Sequence, residues 1–120
     1  DIDPLGIGRH LSNIILIDVE QAPFRLRYRL IGTTITEVMG RDSIGKYYDE
    51  IYAPELLDKI YASFHWMIEH MAPLRTYGEA FYPDKDIYGY EALNLPLSND
   101  GEVINMVFGA LVFSLKPPSD

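Results

Sequence analysis

Histidines, arginines and tyrosines are the residues of this 120-residue sequence whose types could support chemistry or ligand binding. Cysteine is absent, which excludes disulfides, thiolate nucleophiles and cysteine metal sites. His65 and His70 lie five positions apart in a segment with helical periodicity, whereas paired helical metal ligands favour a spacing of about three or four. His10 is far from both. We therefore expect no shared metal site.

A basic stripe occupies the segment from Phe24 to Ile31. Because strand side chains alternate between faces, the arginines take one face and the apolar residues take the other. The two sets are Arg25, Arg27 and Arg29, and Phe24, Leu26, Tyr28 and Leu30. We interpret the arginine face as a solvent or partner face, with acids such as Glu20, Glu79 or Glu91 as its ion-pair partners.

The glycines and aspartates match no phosphate or calcium site. Gly32, Gly40 and Gly45 lack the Lys-Ser or Lys-Thr of a phosphate loop and are typical of helix stops and turns. Asp84 and Asp86 occupy a turn-like segment with too few further carboxylates for calcium.

Composition indicates one globular domain. Hydrophobic residues make up 48% of the chain and the net charge is -8, which disfavours nucleic acid and anionic membrane surfaces as partners. No segment reaches the roughly 20 apolar residues of a membrane-spanning helix, so we expect a cytoplasmic protein. Because residue 1 is Asp rather than Met, we expect an upstream segment to be missing. Residues 1–12 are interpreted as an extension and 116–120 as a tail or linker.

The elements that must position these residues follow an α+β order. Two strands, Asn13 to Glu20 and Phe24 to Ile31, form a predicted hairpin around Gln21-Ala22-Pro23. A short helix capped by Thr33 or Thr34 ends at Gly40, and a helical turn follows through Tyr48, Ile51 and Tyr52. The strongest periodicity predicts an amphipathic helix from Pro54 to Met71, with Leu56, Ile60, Phe64, Met67 and Met71 on the sheet side.

Three more strands complete the predicted sheet: Leu74 to Tyr82, Ile87 to Leu97, and Val103 to Leu115. Turn sequences at 83–86 and 98–101 separate them. The last strand is apolar on both faces, which is typical of a central strand. Its two faces carry Val103, Val107, Leu111 and Phe113, and Ile104, Met106, Phe108 and Val112.

The stretch from Tyr28 to Lys46, with Gly32, Gly40 and Gly45, resembles the strand-helix-Gly-turn-Gly segment of PAS domains. Together with Leu95-Pro96-Leu97-Ser98-Asn99-Asp100-Gly101, it is similar to small stand-alone bacterial PAS-like domains. The resemblance implies a five-stranded antiparallel sheet of order 2-1-5-4-3, helices on one face and a pocket between the two layers. Flavin-adduct and photoactive-yellow-type PAS domains use Cys, and haem-binding ones a His on the long helix. Since Cys is absent and His65 and His70 diverge, we expect no cofactor.

A pocket of this kind would be mainly apolar with a few hydroxyls, so we expect a small, mostly neutral organic ligand. Nine tyrosines and one tryptophan suit such a lining, although sheet packing is the alternative role for any one of them. The predicted lining is Tyr28, Leu30, Met39, Tyr47, Ile51, Phe64, Ile68, Tyr77, Leu93 and Leu95.

The functional hypothesis is a non-catalytic sensory or regulatory domain. Because one helical layer covers only one face of the sheet, we expect the outer face to be covered either by a second subunit in a homodimer, which we favour, or by an upstream segment. Two alternatives remain open: a purely structural interaction module with a filled pocket, and a small enzyme of the ketosteroid-isomerase type.

Overall fold

A computed structural model describes residues 13–78 and 87–115. The chain forms β1 (Ile14–Gln21), β2 (Phe24–Ile31), α1 (Thr33–Met39), α2 (Tyr48–Ile51), α3 (Pro54–His70), β3 (Leu74–Gly78), β4 (Ile87–Leu97) and β5 (Met106–Leu115). All neighbouring strands are antiparallel and their order is β2-β1-β5-β4-β3. The predicted α+β fold, sheet order and central last strand are confirmed.

The helices pack on one face of the sheet, which is called the inner face below. Because directly paired residues share a face, the strand register assigns the side chains. Ile17 pairs with Tyr28 in β2 and with Val107 in β5, and all three are buried. From the helices, Ile35, Phe64 and Met67 complete this core.

A β-bulge reverses the alternation in β2. Leu16 pairs with Leu30 and the next residue, Ile17, pairs with Tyr28, so β2 contains one extra residue, Arg29, at this point. Ile31 is therefore buried on the inner face, while Leu30 moves to the outer face and is exposed. The predicted inward position of Leu30 is wrong, because strict alternation does not continue through a bulge.

The helices begin and end close to the predicted residues, with two corrections. α1 ends at Gly40, whose φ of 78° is the left-handed conformation that favours glycine, but its N-cap is Gly32 rather than a threonine. α3 ends at His70, and Met71 adopts the left-handed C-cap conformation with a φ of 49°. Met71 is therefore exposed and does not pack against the sheet.

The last strand is shorter than predicted because Val103 and Ile104 precede β5. The preceding turn is held by Asp100, whose Oδ1 accepts hydrogen bonds from the backbone N–H groups of Glu102 and Val103 at 2.8 and 2.9 Å. The predicted extension of β3 to Tyr82, the turn at 83–86 and the segments 1–12 and 116–120 lie outside the described residues.

Met67 gives a direct test of the core. Its side chain is fully buried, whereas Leu56 on the same helix is 48% exposed. Met67→Ala should lower the free energy of unfolding by about 2–5 kcal/mol through lost burial and a residual cavity. Leu56→Ala, the matched control, should cost less than about 1 kcal/mol. Urea denaturation followed by circular dichroism measures both, and equal losses would contradict this packing.

Candidate functional site

A cavity of about 820 Å³ lies between the inner face of the sheet and the helices. This volume is within the range of small-molecule sites, roughly 300–1,000 Å³. Inner-face positions of all five strands form its floor, and α1, α3 and the segment around α2 form its roof. The floor residues are Ile15, Ile17, Tyr28, Leu74, Thr76, Tyr90, Ala92, Asn94, Leu111 and Phe113. The roof residues include Ile35, Val38, Met39, Tyr48, Tyr52, Leu56, Ile60, Ser63 and Phe64.

Small inner-face residues of the central strands leave this space open. Ala92 of β4 pairs with Leu111 of β5, and Asn94 pairs with Gly109. A Cβ atom on Gly109 would lie 3.1 Å from Asn94 Oδ1, so the glycine allows the amide to lie against the β5 backbone. Asn94 Nδ2 donates a 3.2 Å hydrogen bond to the carbonyl oxygen of Leu74. At these positions of β4 and β5 the cavity floor thus lacks bulky apolar side chains, although larger residues such as Leu111 and Phe113 line it elsewhere.

A tyrosine cluster forms the polar end of the cavity. The rings of Tyr28 and Tyr48 are stacked with centroids 4.4 Å apart, and the hydroxyl groups of Tyr28 and Tyr52 are 2.5 Å apart. Burial disfavours the phenolate and raises the pKa of both Tyr28 and Tyr48 well above the ordinary value of 10.0. Both rings therefore present neutral hydroxyl groups, which can donate and accept hydrogen bonds.

Four of the ten predicted site residues line the cavity: Tyr28, Met39, Phe64 and Tyr77. Tyr77 lies at the edge, because it pairs with Glu91 on the outer face and is 67% exposed. Ile51 and Ile68 pack against the core beside the cavity instead of lining it. Leu93 and Leu95 were predicted with the wrong face, since the inner positions of β4 are Tyr90, Ala92 and Asn94.

Tyr47 is on the opposite side of the sheet from the cavity, with the arginine stripe. Its hydroxyl donates a 2.6 Å hydrogen bond to Glu20, and the Arg25 guanidinium lies 3.5 Å from its ring centroid. The prediction that Tyr47 lines the cavity is wrong, because its hydroxyl group binds the carboxylate of Glu20 and its ring packs against the guanidinium of Arg25.

The arginine stripe pairs with acids other than those expected. Arg25 contacts Asp49 at 2.7 Å, while Arg27 and Arg29 share Asp18 at 2.7 and 3.2 Å. The hydrogen bond from Arg25 holds the pKa of Asp49 below its usual value. Glu91 pairs with Arg75 instead, and Glu79 lies outside the described residues. Arg25 thus fastens α2 to the first hairpin, whereas Arg27 and Arg29 join β2 to β1.

The histidines of α3 make local contacts. The ring of His65 lies against Phe24 with centroids 4.1 Å apart, and His70 Nδ1 is 2.8 Å from the Trp66 carbonyl oxygen. Within residues 13–78 and 87–115, no group of three or more His, Asp or Glu side chains is placed to hold a metal ion.

The sequence model of the PAS domain family matches residues 1–112. The chain belongs to the PAS domain family. The match covers nearly the whole sequence, and the sheet order of this PAS domain agrees with the resemblance described above. No curated protein matches the chain. In the described part of the chain, no helix has both the length and the apolar character needed to cross a membrane.

The buried tyrosines predict a pH dependence of stability. Above about pH 10 the unfolded chain releases the protons of Tyr28 and Tyr48 while the folded chain keeps them, so the free energy of unfolding should fall. Each retained proton contributes a slope of about 1.4 kcal/mol per pH unit. Tyr48→Phe should make the fall less steep than in the wild-type protein. Urea titrations from about pH 9 to 11 measure the slopes; identical slopes for the two proteins would contradict this assignment.

Proposed function

We propose that this PAS domain is a non-catalytic sensory or regulatory module that binds a small organic molecule in the cavity. The observation that carries the proposal is the cavity itself, with apolar walls, a volume of about 820 Å³ and the Tyr28, Tyr48 and Tyr52 cluster at one end. Apolar walls with a few convergent polar groups are typical of ligand sites. Among the described lining residues there is no His, Asp or Glu to act as a general base near neutral pH, which favours binding over catalysis.

Ala92 provides the test of ligand binding, because it is buried on the cavity floor. The probe is N-phenyl-1-naphthylamine, a neutral aromatic amine whose fluorescence increases in apolar sites. Ala92→Phe should place a ring inside the cavity and weaken binding of this probe by about tenfold or more. Ala62→Phe makes the same change on the exposed face of α3 and should alter affinity by less than about twofold.

Absence of binding to the wild-type domain, or equal binding to Ala92→Phe, would overturn the proposal and favour the alternative of a purely structural module. Native mass spectrometry of freshly purified wild-type protein gives a second measurement. A mass above that of the chain, lost in Ala92→Phe and kept in Ala62→Phe, is the expected result.

We further propose that the outer face of the sheet associates with a second copy of the domain. This face carries exposed apolar side chains on three strands: Leu30, Leu93, Leu97 and Val112. Both signs of charge flank them, with Arg75 and Glu91 toward β3 and Asp18 with Arg27 and Arg29 toward β2. A surface that binds its own copy must be self-complementary, and this arrangement allows it. Burial of these apolar side chains between the two copies would drive the association.

Val112 tests the association, because it is 68% exposed and its substitution leaves the core intact. We expect a dimer for the wild-type protein at micromolar concentration and about tenfold or greater weakening in Val112→Lys, where a charge would be desolvated. Met71→Lys places the same charge at an exposed apolar residue away from this face and should remain dimeric. Sedimentation velocity decides the outcome, and a monomeric wild-type protein would overturn the proposal.

A further inference from the structure

The described lining of the cavity has the opposite charge to the chain as a whole. The protein carries 18 acidic and 10 basic side chains, yet the charged residues among the described lining positions are Arg41 and Lys59, both cations. Arg41 follows Gly40 at the end of α1, and Lys59 lies on the cavity side of α3 beside Leu56, Ile60 and Ser63. Two separate elements thus bring positive charge to one opening.

These two cations have no ion-pair partner among residues 13–78 and 87–115, unlike the arginines of the strands. Arg25, Arg27, Arg29 and Arg75 are each paired with a carboxylate. Lys46, the remaining basic residue of the described segments, is also without an ion pair there but does not line the cavity. The carboxylate nearest to Arg41 in sequence is Asp42, whose Oδ1 accepts a 3.0 Å hydrogen bond from the backbone N–H of Ile44.

We infer that the ligand of this cavity is an amphiphilic organic anion, with an apolar or aromatic body and one carboxylate or similar anionic group held by Arg41 and Lys59. The inference rests on the proposed ligand-binding function and specifies the ligand class. The guanidinium of Arg41 can form two parallel hydrogen bonds to a carboxylate, and the ammonium of Lys59 adds a point charge. The apolar body would lie along Ile60 and Phe64 toward the tyrosine cluster.

This assignment refines the expectation of a mostly neutral ligand. Most of the other described lining residues are apolar, so a neutral body suits the interior. The anionic group is required only at the opening, where both cations are exposed and stay hydrated until a ligand arrives. A strongly acidic protein with such an opening would repel anions elsewhere and accept them here.

Two fluorescent probes with the same aromatic skeleton separate the charge from the apolar body. 1-Anilinonaphthalene-8-sulfonate carries one negative charge, and N-phenyl-1-naphthylamine is its neutral counterpart. The double variant Arg41→Gln/Lys59→Gln should weaken binding of the sulfonate by about tenfold and change the neutral probe by less than about twofold. Lys46→Gln, the matched control, should change neither probe by more than about twofold.

The outcomes distinguish the two proposals. If the wild-type domain binds the neutral probe but the double variant affects both probes equally or neither, the anion assignment is overturned and the ligand-binding proposal survives. If the wild-type domain binds neither probe, the ligand-binding proposal fails and the anion assignment falls with it. A sulfonate signal that persists in Ala92→Phe comes from another surface and also overturns the assignment. We expect the double variant to weaken binding of the sulfonate probe alone. We expect Ala92→Phe to weaken binding of both probes.

Discussion

The structure depends on the pairing of β5 with β1 on one side and β4 on the other. Residues of β1 and β5 are more than 80 positions apart in the chain, and their pairing joins the first hairpin to the last two strands. Once Ile17 is paired with Val107 and Leu111 with Ala92, alternation sets the faces of the neighbouring side chains in β1, β4 and β5, and it is broken where the register shifts. The cavity and the apolar outer face are two consequences of this register.

The two faces of the sheet have complementary compositions. On the inner face, the central strands carry Ala92, Asn94 and Gly109, which leave space under the helices. On the outer face, the same strands carry leucines and Phe108, which no described helix covers. The observed arrangement leaves a cavity on one face and exposed apolar side chains on the other.

Under the proposed function, the cavity and the outer face are joined by a short physical path. β4 and β5 form the cavity floor with alternate residues, while the residues between them form the outer face. A ligand that alters the packing of Ala92 or Leu111 therefore acts on the same backbone that carries Leu93 and Val112. Close packing gives little room for independent adjustment of the two faces.

Local pattern in the sequence determined the elements and the central strand. The spacing of apolar residues indicated α3, the glycines indicated the end of α1, and the two apolar faces of the last strand placed it at the centre of the sheet. These features follow from nearby residues and from the periods of helix and strand. The sequence pattern of β5 also indicated an apolar outer face, and Leu93 and Leu95 of β4 lie on that same face.

Tertiary structure decided the content of the site. Whether Leu93 or Asn94 faces inward depends on the register between β4 and β5, which a single-residue shift would reverse. The bulge at Arg29 that turns Leu30 outward exists only in the pairing of two strands. Arg41, which follows the C-cap of α1, and Lys59 of α3 lie 18 positions apart, and only the packing of the helices over the sheet brings them to one cavity. Each of these features depends on contacts between residues that are distant in the chain. Local periodicity in the sequence therefore cannot predict them.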